Sequence, residues 1–142
     1  MIVYGDDQRI ADWVAQRIPH LGRKDFGDCV ALGVASSTKI MAGVVYYDYQ
    51  PAHSTIQLSI AAENFMWARR ENIRELLAYP FQQIGVHKAW IATPLSSEHA
   101  LKTFYRIGFK REAVLAHQFG RRKHAVIARM LKPDFDRMYG GQ

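Results

Sequence analysis

The spacing of the hydrophobic residues changes abruptly near the middle of the chain, and this change limits the folds that the sequence can adopt. Across residues 53–62 hydrophobic and polar residues alternate, which is the pattern of a half-buried strand. Across residues 69–84 the hydrophobic residues recur at helical spacing, which predicts a helix with one apolar face, and Pro80 predicts a kink in its second half. We therefore expect a sheet with helices packed on it.

The segments before this point predict a short strand, a helix and a hairpin. Their expected bounds are residues 2–4 for the strand, 8–18 for the helix, and 28–35 and 39–49 for the hairpin. Pro19 and Gly22 are expected to end the helix. The alternating segment 53–62 then follows as a third antiparallel strand.

The segments after the central helix predict a β-α-β unit and a closing hairpin. A strand at 86–93 precedes a helix at 98–107 that ends at Gly108, and two strands at 113–119 and 124–131 are joined at Gly120-Arg121-Arg122. The predicted order is β-α-β-β-β-α-β-α-β-β, an α/β fold with a mixed sheet. The length of 142 residues suits a single domain over residues 1–142.

Composition and charge favour an intracellular protein with a basic surface. No apolar run is long enough to cross a bilayer, and the N-terminus lacks the features of a signal peptide, so we expect a cytoplasmic protein without a membrane partner. The net charge is +6, and most of the excess lies in the last third. Arg121, Arg122 and Lys123 are either a solvated hairpin tip or a weak nucleic-acid contact. No metal site is expected, because no HExxH motif, cysteine pair or His/Asp cluster occurs.

One segment resembles a known family. The sequence SEHALKTFYRIGFKRE at residues 97–112 is similar to the Asn-x-x-Ala…Tyr-x-x-x-Gly-Phe-x-x-Glu helix and turn of the GNAT superfamily of N-acetyltransferases. The resemblance runs from about 53 to 131, and Tyr79-Pro80-Phe81 is similar to a kink in small phage-borne and prophage-borne GNAT proteins. It implies a GNAT-like acyltransferase fold, acetyl-CoA as co-substrate and transfer of an acetyl group to a primary amine.

The resemblance also implies a binding site for acetyl-CoA. Segment 67–73 is similar to the family's pyrophosphate-binding turn, with Arg70 and Asn72 where the family has small residues. The two central strands are expected to splay apart after Ala62, with pantetheine in the gap and a nearby backbone N–H polarising the thioester. The cofactor contacts implied in this way are Ile60, Ala61, Ala62, Trp67, Ala68, Arg69, Arg70, Glu71, Asn72, Ile73, Ser97 and Phe104.

The catalytic residues implied by the resemblance are a tyrosine acid and a base. The family's tyrosine lies four residues before the Gly-Phe glycine, where this chain has Phe104, so Tyr105 is the candidate acid. Glu63 is the candidate base. Three histidines, His53, His99 and His117, are further candidates, none of which has a partner fixed by spacing.

Two other functions remain open at this stage. The basic last third and the phage-like resemblance also suit a protein of the same fold that binds or modifies nucleic acid. Phe104 and the missing glycines also suit a CoA-binding domain without catalytic activity. A homodimer is considered as well, and the sequence leaves the oligomeric state open.

Overall fold

A mixed sheet of seven strands forms the centre of the residues that the computed structural model describes, 1–19 and 26–140. Its order is β1-β2-β3-β4-β5-β7-β6. Neighbouring strands are antiparallel except for β4 and β5, which are parallel. The strands are β1 Ile2–Val3, β2 Cys29–Ala35, β3 Ile40–Gln50, β4 Thr55–Ala62, β5 Lys88–Pro94, β6 Lys110–Leu115 and β7 Ala125–Leu131.

Helices connect the strands in the predicted order, and an additional helix follows the last strand. They are α1 Asp7–Ala15, α2 Arg70–Ala78, α3 Glu98–Ile107 and α4 Lys132–Met138. The predicted order is thus confirmed up to β7, but α4 was not expected. Gly22, one of the two residues expected to end α1, lies outside the described residues. Among the helices that are described, none is both long and apolar enough to span a bilayer.

The helix predicted at 69–84 consists of two parts. A 3₁₀ turn at Phe65–Ala68 precedes α2, and a π-helical turn at Tyr79–Ile84 follows it. The N–H groups of Gly85 and Val86 both donate to the carbonyl oxygen of Pro80, each at 3.0 Å. Proline lacks an N–H and crowds the preceding turn, so the predicted kink takes the form of this widened turn.

The closing hairpin differs from the prediction in its first strand. β6 begins at Lys110 and ends at Leu115, whereas residues 113–119 were expected. The N–H of His117 donates to Nδ1 of His124 at 3.0 Å, and the N–H of Arg122 donates to Nδ1 of His117 at 2.7 Å. These side-chain contacts replace ladder hydrogen bonds, so a structured loop rather than a tight turn joins β6 to β7.

Two hydrophobic clusters cover the two faces of the sheet. The larger one contains residues of α2, α3 and α4, and the smaller one contains α1. Gly33 and Gly43 are paired across β2 and β3 directly under α1. A Cβ at Gly43 would lie 2.6 Å from Cγ2 of Val14, and one at Gly33 would lie 2.8 Å from Cδ1 of Ile10. The glycine pair therefore lets α1 approach the sheet closely and brings the end of this helix near β4.

The C-terminal helix α4 contacts the elements of the larger cluster. Phe135 stacks on Phe81 with ring centroids 5.2 Å apart, and the hydroxyl of Tyr139 donates to the carbonyl of Ile107 at the end of α3. Nε of Arg74 on α2 donates to the carbonyl of Tyr139 at 2.6 Å. α4 is therefore linked to both α2 and α3.

Candidate active site

The two parallel strands at the centre of the sheet separate before they end. Their ladder begins at Thr55 opposite Lys88 and stops at Leu58 opposite Ile91. Beyond these residues β4 stays paired with β3 as far as Ala62, and β5 stays paired with β7 as far as Pro94. The expected gap is therefore present, but it opens at Ser59 rather than after Ala62. The gap forms because β4 remains paired with β3 while β5 remains paired with β7, and the two pairs diverge.

Backbone polar groups face into this gap. The N–H of Glu63 donates to the carbonyl of Met41 on β3 at 2.9 Å. Since strand residues alternate in direction, Ala61 also faces β3, whereas Ile60 and Ala62 direct their N–H and C=O groups towards β5. This corrects the expectation for Ala61, whose N–H points away from the gap. Just after β5, the N–H of Leu95 donates to the carbonyl oxygen of His124, the residue before β7, at 2.9 Å. By the same alternation Ala92, three residues earlier, directs its N–H and C=O groups towards the gap.

Two clefts meet at the gap. The larger has a volume of about 250 Å³ and the smaller of about 160 Å³, and they share Ile60, Ala100 and Phe104. The remaining residues of the larger cleft are Ala62, Glu63, Asn64, Trp67, His99 and Thr103. Those of the smaller cleft are Arg17, Ile18, Pro19, Ser59, Ile91, Ala92, Thr93, Pro94 and Ser97. The larger cleft therefore opens towards the turn before α2, and the smaller cleft opens towards the end of α1.

Two side chains that can accept a proton from a substrate line the larger cleft. Glu63 lies between two cations, with Oε1 3.8 Å from Nζ of Lys39 and Oε2 3.8 Å from a guanidinium nitrogen of Arg17. His99 is exposed in the first turn of α3. Of the four candidate bases, the structure brings these two together. His53 lies in the turn between β3 and β4, and His117 lies in the loop between β6 and β7.

Tyr105 lies outside both clefts. Its hydroxyl accepts a hydrogen bond from Nε of Arg111 on β6 at 3.2 Å, and its side chain is 36% exposed. Phe104, the preceding residue, is buried and lines both clefts. The structure therefore does not support Tyr105 as a catalytic acid, because one position on a helix corresponds to a rotation of about 100°.

The turn before α2 is only partly as expected. Trp67 is buried and lines the larger cleft, and the side-chain amide of Asn72 donates to the carbonyl of Trp67 at 3.1 Å. Arg69 precedes the first residue of α2 and makes no capping hydrogen bond with its side chain. Ala68 is half-buried and Glu71 exposed, whereas Ile73 is buried in the core. Only the start of this segment therefore faces the cleft.

Arg70 has other partners than the expected phosphate. Its guanidinium donates to the carbonyl of Met138 and lies 5.0 Å from the centre of the Tyr139 ring. Both partners are at the end of α4, the helix that was not predicted from the sequence. The expected contact of Arg70 with acetyl-CoA therefore stays a prediction, and among the described residues the side chain of Arg69 has no hydrogen-bond or ion-pair partner.

Comparison with known proteins gives matches to solved structures alone. No protein-family model matches the chain, and no curated protein matches it at a significant level. A dodecameric spermidine N-acetyltransferase from Vibrio cholerae matches with a TM-score of 0.68 and 17% identity over 82% of this chain and 71% of the other. A chimera of that organism's SpeG with hSSAT has a TM-score of 0.67 and 18% identity, covering 77% and 71%. The chain has the GNAT fold.

A third match agrees with these two. Mutant forms of the spermidine/spermine N-acetyltransferase SpeG from Vibrio cholerae give a TM-score of 0.67 and 18% identity over 82% of this chain and 72% of theirs. At this level of identity the comparison establishes the GNAT fold and no more. The similarity to phage-borne GNAT proteins finds no support in these matches.

Several residues that line the clefts were missed by the sequence analysis, among them Arg17, Asn64, Ala100 and Thr103. Arg17 comes from the end of α1 and lines the smaller cleft, whereas Asn64 and Thr103 line the larger one. Oδ1 of Asn64 accepts a hydrogen bond from the N–H of Met66 at 2.9 Å and caps the 3₁₀ turn. An asparagine just before a turn is a capping pattern that could have identified it. No local pattern marks Arg17, because it reaches the cleft through the packing of α1.

Proposed function

We propose that this protein is an acetyl-CoA-dependent N-acetyltransferase that acts on a primary amine. The observation that carries the proposal is the gap between β4 and β5, where two clefts meet and where, among the described residues, the backbone groups of Ile60, Ala62 and Ala92 have no strand partner. Backbone groups at such a position need hydrogen-bond partners. An extended chain that contains amides, such as the pantetheine arm of CoA, can supply them in the way that another strand would.

The larger cleft suits the donor. It extends from the gap to Asn64 and Trp67, next to the start of α2. The N–H groups in the first turn of a helix lack partners within the helix, and the helix dipole favours an anion there. We assign the pyrophosphate to this turn, with Arg69 as the cation that contacts it. Arg70 takes no part while it is bound to α4.

Several residues around the gap can then perform the transfer. Acetyl-CoA supplies an acetyl group activated as a thioester. Ile60 or Ala62 donates its N–H to the thioester oxygen as negative charge develops there during attack by the amine. Glu63, or His99 in its place, accepts the proton that the amine loses as the new C–N bond forms and the C–S bond breaks. The thiolate that leaves takes up a proton, from the protonated base or from water, and the products are an acetylated amine and the CoA thiol.

The matched structures agree with this reaction class. The matched proteins are N-acetyltransferases of spermidine or spermine, which are amines. The smaller cleft is assigned to the amine, since it reaches the same three shared residues from the other side of the gap. A dodecamer is described for one of the matched proteins, whereas for this chain a homodimer remains a proposal that light scattering would test.

Filling the gap tests the proposal directly. Ala100 is shared by the two clefts and half-buried, so Ala100→Phe should place a ring where the donor and the acceptor meet. We expect acetyl-CoA affinity, measured by calorimetry, to fall roughly tenfold or more, and release of free CoA thiol in the presence of an amine panel to fall with it. Thermal unfolding should change little, because the ring enters open space.

Ala116→Phe is the matched control. Ala116 is exposed in the loop between β6 and β7, so the same substitution there should leave both measurements as in the parent protein. Parent-like acetyl-CoA binding by Ala100→Phe would contradict the assigned site. Acetyl-CoA binding without acetyl transfer to any amine would instead favour a CoA-binding domain, and salt-resistant binding of one DNA sequence would favour the nucleic-acid function.

A further inference from the structure

The smaller cleft holds a cation at one end and the gap at the other. Arg17 lies just beyond α1 and lines this cleft together with Ser59 on β4 and Ser97 before α3. Ile60, Ala100 and Phe104 form the end that opens into the gap. An amine bound here would therefore have its nitrogen near the gap and the rest of the molecule directed towards Arg17.

The guanidinium of Arg17 is held in position, and within the described part of the chain only one of its N–H groups has a hydrogen-bond partner. It stacks on Trp13, with its central carbon 3.8 Å from the ring centre, and one terminal nitrogen donates to the carbonyl of Trp13 at 3.1 Å. The other terminal nitrogen is 3.8 Å from Glu63, which is too long for a direct hydrogen bond. Because a guanidinium has five N–H groups in a planar fork, Arg17 can still bind a carboxylate or a phosphate through two of them.

Charge in the cleft favours an anion over a polycation. Among the described residues that line the smaller cleft, none is acidic. Glu63, the carboxylate that pairs with Arg17 among the described residues, also pairs with Lys39, so this group of three side chains carries one net positive charge. A polyamine placed here would bring further positive charge against Arg17 without a carboxylate to pair with it, whereas the overall charge of +6 attracts anions.

The other polar side chains are suited to orienting a small ligand. The hydroxyl of Ser59 is 2.9 Å from that of Tyr47, and burial raises the pKa of Tyr47, so this pair remains a neutral hydrogen-bonding group. The rest of the lining is mainly apolar, as in most sites for small molecules. Among the described residues that line this cleft, Arg17 is thus the charged group that can select a ligand.

We propose that the acceptor is a small amine that carries an anionic group, a carboxylate or a phosphate, and that Arg17 binds this group in the smaller cleft. The inference rests on the proposed acetyltransferase function. It assigns Arg17 as the residue that determines substrate specificity, and it distinguishes this chain's acceptor from the spermidine of the matched proteins.

A panel of amines that differ only in the anionic group tests the proposal. Glycine, β-alanine and 4-aminobutyrate are compared with their uncharged amides, 2-aminoethyl phosphate provides the phosphate arm, and spermidine represents the polyamines. Ethanolamine is the uncharged counterpart of the phosphate compound. With the parent protein, kcat/KM for at least one carboxylate or phosphate compound should exceed kcat/KM for its uncharged counterpart by roughly tenfold to a hundredfold. Equal rates within every pair, or a preference for spermidine, would overturn the proposal.

Two substitutions separate the role of Arg17 from a general effect of charge. Arg17→Gln should abolish the preference for the anionic compound, mainly through KM, whereas Arg9→Gln should leave it intact. Arg9 is exposed on α1, where it pairs with Asp6 at 2.9 Å outside the cleft, so both variants lose one positive charge. A preference that survives in Arg17→Gln would place the anion elsewhere.

Direct binding keeps this test separate from the test of acetyl transfer. Calorimetric titration with the same anionic amines, with and without CoA, measures binding in the smaller cleft even if no acetylation is detected. Binding that weakens roughly tenfold in Arg17→Gln but not in Arg9→Gln would support the anion site. Absence of binding by every anionic compound would overturn it, whereas failure of acetyl-CoA itself to bind would overturn the proposed function.

Discussion

Phe104 and Tyr105 are neighbours on α3 with different surroundings. Phe104 is buried at the meeting point of the two clefts, and Tyr105 lies against Arg111 on β6. The family's motif has a tyrosine at the position of Phe104, and it favours Tyr105 because Tyr105 is the tyrosine next to that position. The structure favours Glu63 and His99 as the groups that handle protons at the gap, because both line the larger cleft.

This difference gives a prediction for three variants. When chemistry limits the rate, Glu63→Gln should lower kcat by roughly 10²–10⁴-fold if Glu63 is the base. Tyr105→Phe should leave kcat within about twofold of the parent value, because its hydroxyl is outside the clefts. Single-turnover kinetics with a responsive amine measure both effects.

Phe104→Tyr provides the complementary variant, since it places a hydroxyl on the ring that lines both clefts. Acetyl-CoA affinity serves as the control and should stay near the parent value in Glu63→Gln and Tyr105→Phe. A large loss of kcat in Tyr105→Phe with unchanged affinity would restore Tyr105 as the acid and would require α3 to rotate during the reaction.

Among the helices, α4 owes its position to a buried carboxylate. Asp134 accepts a hydrogen bond from the N–H of Leu131 at 3.0 Å and so caps the start of α4. Burial opposes ionisation, but this hydrogen bond and the neighbouring cations outweigh it and lower the pKa of Asp134. The cations lie 3.4–3.8 Å from the carboxylate and are Lys110, Arg129 and Arg137.

A lowered pKa predicts how stability depends on pH. The ionised Asp134 stabilises the fold above the ordinary pKa of a carboxyl group, and this contribution is lost as the pH falls through the lowered value. Asp134→Asn keeps the capping oxygen but removes the charge, and should reduce the free energy of unfolding by about 1–2 kcal/mol at neutral pH. In urea titrations the difference from the parent should shrink as the pH is lowered to about 3.

Asp136→Asn on the same helix is the matched control. Asp136 is exposed and pairs with Lys132, so its loss should cost at most about 1 kcal/mol. A difference between Asp134→Asn and the parent that stays constant from neutral to acidic pH would show that the charge of Asp134 does not contribute.

The elements differ in how well local sequence predicts them. The alternation in β4 and the apolar stripe of α2 were read correctly because each buries one face against the core. The helix α4 was missed because it has only seven residues and little apolar periodicity, although Pro133 and Asp134 are typical of a helix start. Missing it also left the contact between Arg70 and the end of α4 unanticipated.

The residues of the candidate site also differ in how well local sequence predicts them. Ile60, Ala62, Glu63 and Trp67 were anticipated because they lie around one strand end and one turn, where the family resemblance is local. Arg17 could not be anticipated, since it reaches the cleft only because Gly33 and Gly43 let α1 lie close to the sheet. Residues brought in by packing between distant segments leave no local pattern.

On the scale of the whole molecule, the gap connects the two sides of the sheet. The larger cleft lies beside the turn that leads into α2, and the smaller cleft lies beside the end of α1. In the proposed reaction, donor and acceptor enter from the two clefts and meet at Ile60. The basic residues Arg121, Arg122 and Lys123 lie in the exposed loop between β6 and β7 and line neither cleft, so their contact with nucleic acid stays a prediction.

The early end of the β4–β5 ladder also makes the protein's own amides reporters of occupancy. Among the described residues no strand pairs with the amide hydrogens of Ile60 and Ala62 on the gap side, so without ligand they should exchange with deuterated solvent faster than that of Ala61, which faces β3. Saturating acetyl-CoA should slow exchange at Ile60 or Ala62 and leave Ala61 unchanged, as seen by NMR. Unchanged exchange at both would mean that the donor binds elsewhere. Because exchange requires no turnover, this measurement detects a bound donor even in a variant that cannot transfer the acetyl group.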